Sequence, residues 1–214
     1  MNNFLRETEL VNFSDPAIIG LANTLRQNTT SDLDIARNCF LYVRDKVNHS
    51  GDVVDETPTT YRASDVLKHK TGWCYAKSIL LAALLRANSI PTGFCYQRLS
   101  CSEYVKDVYC LHGLNAVFLK EFGWYRIDAR GNKEDVNAQF DPPHEQLAFE
   151  VGKYEFDLLD ILEDPLPEVV HALKTYKSYE EMIHNFPDIT EETIEGKVNI
   201  DYINTLIWSV FSKR

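Results

Sequence analysis

Residues 71–78 read Thr71-Gly72-Trp73-Cys74-Tyr75-Ala76-Lys77-Ser78 and open the most apolar helical pattern of the chain. Ala76, Ile79, Leu80, Ala83, Leu84 and Ala87 recur at the spacing of one helix face, and Leu81, Ala82 and Leu85 widen that face around the cylinder. The pattern predicts a helix buried on most sides, ending at Asn88 with Pro91 just beyond. Cys74 falls in its first turn. Unpaired backbone N–H groups and the positive end of the helix dipole favour a thiolate there, the form that attacks carbonyls. Gly72 permits close backbone approach, which an oxyanion site needs.

Upstream, Asp15 and Pro16 predict the cap and first position of a helix over 15–28. Ser31 or Asp32 caps a second helix running to Lys46, and Ser64 a short one through Val66 and Leu67; residues 48–60 read as a polar loop. Downstream, 92–99, 112–119 and 124–128 read as strands, the last two as a hairpin about Glu121-Phe122-Gly123. Residues 129–147 read as a loop, 168–176 and 179–184 as helices, and the end carries Leu206, Ile207, Trp208, Val210 and Phe211. Helices, then strands, then more helices make an α+β chain. The expected division is a core over residues 1–150 and an acidic, mainly helical extension over 151–214 that packs on it, covering the cleft or contacting a second copy in a homo-oligomer.

The chain has 214 residues and a formal net charge of -10, with no basic run, which argues against a nucleic-acid partner. The longest strongly apolar stretch, 79–85, falls far short of a membrane span, and the first residues lack a basic and apolar leader pattern. No membrane partner is expected, and the expected setting is cytoplasmic. Five irregularly spaced cysteines in that setting are expected to be free thiols, with a Cys101–Cys110 loop disulfide as the alternative in an oxidising compartment.

His112 and Asp128 lie on the two hairpin strands. A two-residue turn at 121–122 sets Asp128 opposite Asn115, and His112 then faces the other way. A three-residue loop at 120–122 sets Asp128 opposite Leu114, with His112 a diagonal step away on the same face, about 7 Å between backbones. A working cysteine, histidine and acid therefore predict an odd-length loop or a bulge here.

Three runs carry a resemblance to the transglutaminase-like superfamily: residues 72–78, continuing to Arg86-Ala87-Asn88-Ser89-Ile90-Pro91; His112-Gly113-Leu114-Asn115-Ala116-Val117; and Gly123-Trp124-Tyr125-Arg126-Ile127-Asp128-Ala129-Arg130. They occur in the family's order, and the likeness covers roughly residues 30 to 150. The resemblance implies a papain-like core, with the nucleophile helix packed on an antiparallel sheet. It implies Cys74 as nucleophile, His112 as general base and acid, and Asp128 as the group that orients the imidazole. Ser89 stands where many relatives have glycine, and Leu114 where many have an aromatic. The chain is too short for the extra β-domains of animal-type members and shows no calcium-loop pattern, so no cofactor or metal is expected.

The implied chemistry is thiol-dependent acyl transfer or hydrolysis on an amide of a protein or peptide, through a thioester; the alternative is a non-catalytic binding module that keeps the fold. His49 and Trp73 are the candidates for a second oxyanion donor, and Tyr75 and Gln97 for substrate contacts. Arg130 is expected to brace its loop by pairing with an acid. A zinc set of Cys95, Cys101, Cys110 and His112 lacks a compact Cys-x2-Cys pair, and an arylamine N-acetyltransferase would carry an Arg-Gly-Gly run before the cysteine, which Lys70-Thr71-Gly72-Trp73 does not supply.

Overall fold

A computed structural model describes residues 1–29, 31–53, 58–101 and 108–189. After a 3-10 turn at Asn2–Leu5 come helices α1 (Pro16–Leu25) and α2 (Asp32–Lys46). The Asp15 side chain accepts from Ala17 N–H, and Ser31 caps α2 by accepting from Asp34 N–H. Strand β1 (Asn48–His49), helix α3 (Ala63–His69) and strand β2 (Thr71–Gly72) lead into α4 (Cys74–Ala87). Strands β3 (Thr92–Ser100), β4 (Tyr109–Leu119) and β5 (Gly123–Ile127) form antiparallel neighbours. A small hairpin, β6 (Gln139–Asp141) and β7 (His144–Gln146), follows. The chain past residue 150 first adds β8 (Phe156–Asp157) to the main sheet, in the order β5-β4-β3-β8. It then turns helical in α5 (Pro167–Thr175) and α6 (Tyr179–Ile183). The apolar residues 206–211 lie outside the described residues.

The apolar cylinder read from the sequence is the centre of the molecule. Every residue of α4 from Cys74 to Arg86 is buried. The helix packs on α1, α2 and α3 and on strands β3 and β4. Phe94, Tyr96, Leu111 and Val117 join it in one cluster, while Cys95, Leu114 and Ala116 face the other side of the sheet with Trp124, Leu147 and Ile161. The alternation of β-strand side chains produces this split. Asn115 fastens helix to sheet: its Nδ2 donates to Ser78 O and Gly93 O, each at 3.1 Å.

Two stretches read as loops are paired instead. His49 pairs with Gly72 and Asn48 with Thr71 in the short parallel β1–β2 ladder. Asn48 N–H donates to Lys70 O and Ser50 N–H to Gly72 O. Two residues are too few to leave an alternating pattern in the sequence. Likewise β6 and β7 are three residues each, and polar, about the Pro142-Pro143 turn.

The end of α4 explains the Ser89 departure. Ser89 N–H donates to Arg86 O and Ile90 N–H to Leu85 O, the paired bonds of a Schellman motif. This motif needs a left-handed residue, and Ser89 supplies it at φ 60. A side chain costs about 1 kcal/mol there. Ser89→Gly is therefore expected to stabilise the protein by about 0.5–1 kcal/mol in urea unfolding, the gain reduced by the looser unfolded chain.

Candidate active site

Strand β4 is twice as long as its outer neighbour β5, and the pairing stops at Asn115 with Ile127. On β4, Leu111 and Gly113 pair with Arg98 and Tyr96 of β3. In an antiparallel ladder alternate residues turn their N–H and C=O away from the partner strand. At Leu111 and Gly113 those groups face a stretch that β5 does not reach. The site is built on that edge. Gly113 N–H donates to Cys74 Sγ at 3.5 Å, the Tyr75 hydroxyl donates to Leu111 O, and Leu111 N–H donates to Pro187 O at 2.8 Å. A side chain at Gly113 would be blocked: a Cβ there would lie 2.9 Å from Tyr75 Cδ1 and 3.3 Å from Tyr75 Cα. Gly72 permits the same closeness on the other side, where a Cβ would lie 3.0 Å from Ala76 Cβ.

The β4–β5 pairing has the three-residue loop: Leu119 opposes Gly123, which leaves 120–122 between them. Asp128, just past β5, thus reaches His112, with Nε2 to Oδ2 at 2.7 Å. Asp128 is fully buried and also accepts from Arg130 N–H (3.0 Å) and Ala148 N–H (3.1 Å). Burial alone would raise its pKa; His112 and these two N–H groups outweigh that and hold it low. Burial alone would lower the His112 pKa; Asp128 and Cys74 outweigh it and raise the imidazole to about 10. With Nε2 on Asp128, the remaining ring nitrogen, Nδ1, is the one left for Cys74, which bonds the ring.

Cys74, His112, His49, Trp73 and Tyr75 line one cavity of about 160 Å³, joined by Arg130, Phe149 and Phe186. Trp73, the N-cap residue of α4, makes no capping hydrogen bond through its side chain. His49 is buried, and its Nδ1 accepts from Gly51 N–H at 3.1 Å. Burial, then Arg130, Lys77 and His112, push its pKa well below the usual histidine value. A neutral ring accepting at Nδ1 carries its proton on Nε2. The Trp73 ring meets His49 edge to face at 5.5 Å. Tyr75 is anchored on Leu111 O. Gln97, opposite His112 in the ladder, lines a separate depression and gives its amide to Asp157 Oδ1 at 3.0 Å. Arg130 pairs with Asp52 through both Nη atoms, at 2.5 and 2.9 Å.

Sequence reading missed five contributors. The backbone N–H groups of Gly113 and Ala148 leave no mark on residue type. Lys77, buried one turn below Cys74, donates to Val47 O; burial, then Arg130, lowers its pKa to about 7. Phe149 covers His112, ring centroids 5.0 Å apart, and Phe186 stands 5.0 Å from Trp73. Their distance in sequence hid both.

One expectation about the cysteines is corrected. Cys101 and Cys110 form a disulfide, Cα atoms 5.9 Å apart. Leu99 pairs with Cys110, and Cys101 N–H donates to Val108 O at 2.7 Å, so the ladder end brings the two within bridging reach. The zinc set therefore does not assemble, and among the described residues no three metal-binding side chains converge.

The sequence profile of the transglutaminase-like superfamily matches residues 19–129, just over half of the chain, and the chain belongs to that superfamily. No curated protein matches. Among solved structures, a candidate cysteine protease from Cytophaga hutchinsonii is similar at 17% identity and a TM-score of 0.47, over 59% of this chain and 40% of that one. The periplasmic domain of TgpA from Pseudomonas aeruginosa is similar at 18% identity and a TM-score of 0.42, over 59% and 45%. Red sea bream transglutaminase follows at 13% and 0.41, over 56% and 27%. The chain thus spans less than half the length of each of these three. Among the described residues no helix is long and apolar enough to cross a membrane.

Two outcomes are expected. Burial raises the thiols of Cys39 and Cys95 to about 12. Near neutral pH, iodoacetamide followed by peptide mass mapping should therefore find Cys74 alkylated well before either. Gly113→Ala should destabilise the fold by about 1–3 kcal/mol in urea unfolding, because the new methyl meets Tyr75, and should slow that alkylation.

Proposed function

We propose that this member of the transglutaminase-like superfamily is a cysteine-nucleophile enzyme that moves acyl groups from an amide of a protein or peptide to an amine or to water. The observation that carries the reading is the convergence on one cavity of Cys74, bonded by Gly113 N–H, and the buried His112–Asp128 pair. Cys74 Sγ attacks the amide carbonyl as thiolate, forming a carbon–sulfur bond. The negative charge passes to the carbonyl oxygen. Backbone N–H groups in the uncapped first turn of α4 receive that oxyanion. His49 is the second donor through Nε2–H, since its Nδ1 is held as acceptor by Gly51 N–H.

Collapse of the tetrahedral intermediate breaks the carbon–nitrogen bond. His112 gives its proton to the departing nitrogen, which leaves as ammonia or an amine. The acyl group remains on Cys74 as a thioester. An amine or water then attacks that carbonyl, His112 takes the proton of the attacking group, and the thiolate is restored. Asp128 keeps the imidazole in orientation and stabilises its cationic form. Its two backbone donors hold the carboxylate ionised, so it acts as acceptor throughout.

Trapping tests this reading. Cys74→Ser and His112→Gln should each lower amide turnover by about 10³-fold or more, and intact-mass analysis should find a thioester adduct only with Cys74 present. A folded protein that forms no adduct with any amide-bearing protein would be a binding module instead. His49→Ala should reduce kcat by about 10²–10³-fold with alkylation of Cys74 unchanged, and His49→Gln, which keeps an N–H donor, should recover part of it.

The His112 shift sets a pH window. A raised folded-state pKa means the imidazolium is favoured by the fold, so its stabilisation is present below the unfolded value of 6.5 and is lost as pH rises through about 10. Departure of the nitrogen needs that proton, so kcat should fall along an alkaline limb near pH 10. The compartment is open to direct measurement. A cytosol would keep Cys101 and Cys110 as thiols, and an intact bridge in protein from its native cells would place it in oxidising surroundings.

A further inference from the structure

The chain beyond the superfamily match returns to the cleft. Residues 185–189 run beside the free edge of β4, where Leu111 N–H donates to Pro187 O at 2.8 Å. Asp188 grips Arg98 with both carboxylate oxygens, each at 2.7 Å. Arg98 is nearly buried and lies over the Tyr109 ring at 4.4 Å. Loss of Asp188 would leave a buried guanidinium without its carboxylate, so this anchor is costly to break. Phe186 is therefore pinned by the two residues that follow it. Its ring stands edge-on to Trp73 at 5.0 Å, and Trp73 also stacks with Tyr179 at 5.8 Å. The Phe186 ring lines the cavity with Cys74 and His112.

Phe149 walls the same cavity from its place over His112. The space between these walls is about 160 Å³. Phe149 and Phe186 thus stand among the walls through which an acyl group must reach Cys74.

We propose that Phe186 is a specificity-determining residue of the cleft: held by the Arg98–Asp188 pair, it narrows the approach to Cys74 and disfavours bulky acyl groups. This rests on Cys74 being the reacting thiol, as proposed above, but assigns a role to a segment that the superfamily profile does not include. Phe186 acts by shape and takes no part in the bond changes.

The test needs no knowledge of the natural substrate. Rates of Cys74 alkylation by N-ethylmaleimide and N-(1-pyrenyl)maleimide share one reacting group and differ in bulk. Phe186→Ala should raise the bulky-to-small rate ratio by about tenfold, the equivalent of about 1.4 kcal/mol of relieved crowding, with the N-ethylmaleimide rate little changed. Asp188→Asn should shift the ratio the same way by freeing the strap, and Phe186→Leu, which also serves if the alanine variant does not fold, by a smaller step. An unchanged ratio in folded Phe186→Leu and Asp188→Asn proteins overturns the proposal, as does a small-reagent rate that rises as much as the bulky one. A Cys74 that reacts no faster than Cys39 or Cys95 would instead count against the thiol chemistry, while the ratio would still report on Phe186.

Discussion

A strand that outruns its neighbour leaves backbone groups that must be satisfied, and the site grows from that requirement. Buried N–H and C=O groups without partners cost as much as a lost hydrogen bond. Where β5 stops, the Gly113 and Leu111 groups of β4 find a thiol, a hydroxyl and a carbonyl instead of a strand. Two of those partners come from the first turn of α4 and the third from residue 187. The sulfur sits at the edge of the sheet rather than on either face. His112 projects from the face opposite the α4 side, and the edge is where it can meet the thiol. A longer β5 would pair these groups and displace the helix terminus.

Around that edge the charges are arranged in depth. Asp128 is fully buried, yet its carboxylate is ionised because three donors converge on it. Lys77 and the Arg130–Asp52 pair stand on the same side. The lysine lies where its ammonium is disfavoured by burial and by Arg130. Its stem is enclosed and its amine spent on Val47 O, which ties α4 to the chain just before the strand carrying His49.

The helical frame was legible because periodicity, caps and breakers agree over long stretches. The apolar face of 76–87 identified the central helix, Asp15-Pro16 and Ser31 marked two starts, and the turn arithmetic at 120–122 singled out the register that sets His112 and Asp128 on one face. Gln97 shows the limit of such reasoning: its place on the strand after the helix made it a candidate substrate contact, but Asp157 draws its amide into a neighbouring depression. The Cys101–Cys110 bridge was weighed by compartment when strand-end geometry decided it. Ala148, Phe149 and Phe186 were illegible because their parts depend on where a polar loop and a distant tail come to rest, and neither carries a period.

The two-residue β1–β2 ladder divides the lining of the cleft between two parts of the fold. His49 is paired with Gly72, two positions before Cys74, so the neutral imidazole and the sulfur belong to the helix side with Trp73 and Lys77. His112, Asp128 and Phe149 belong to the sheet and the loop behind it. In the cleft the two sides meet where Gly113 touches Tyr75 and Cys74. Gly113 is the seam between the two: a side chain there would press on Tyr75 and part the sulfur from the strand that carries the imidazole.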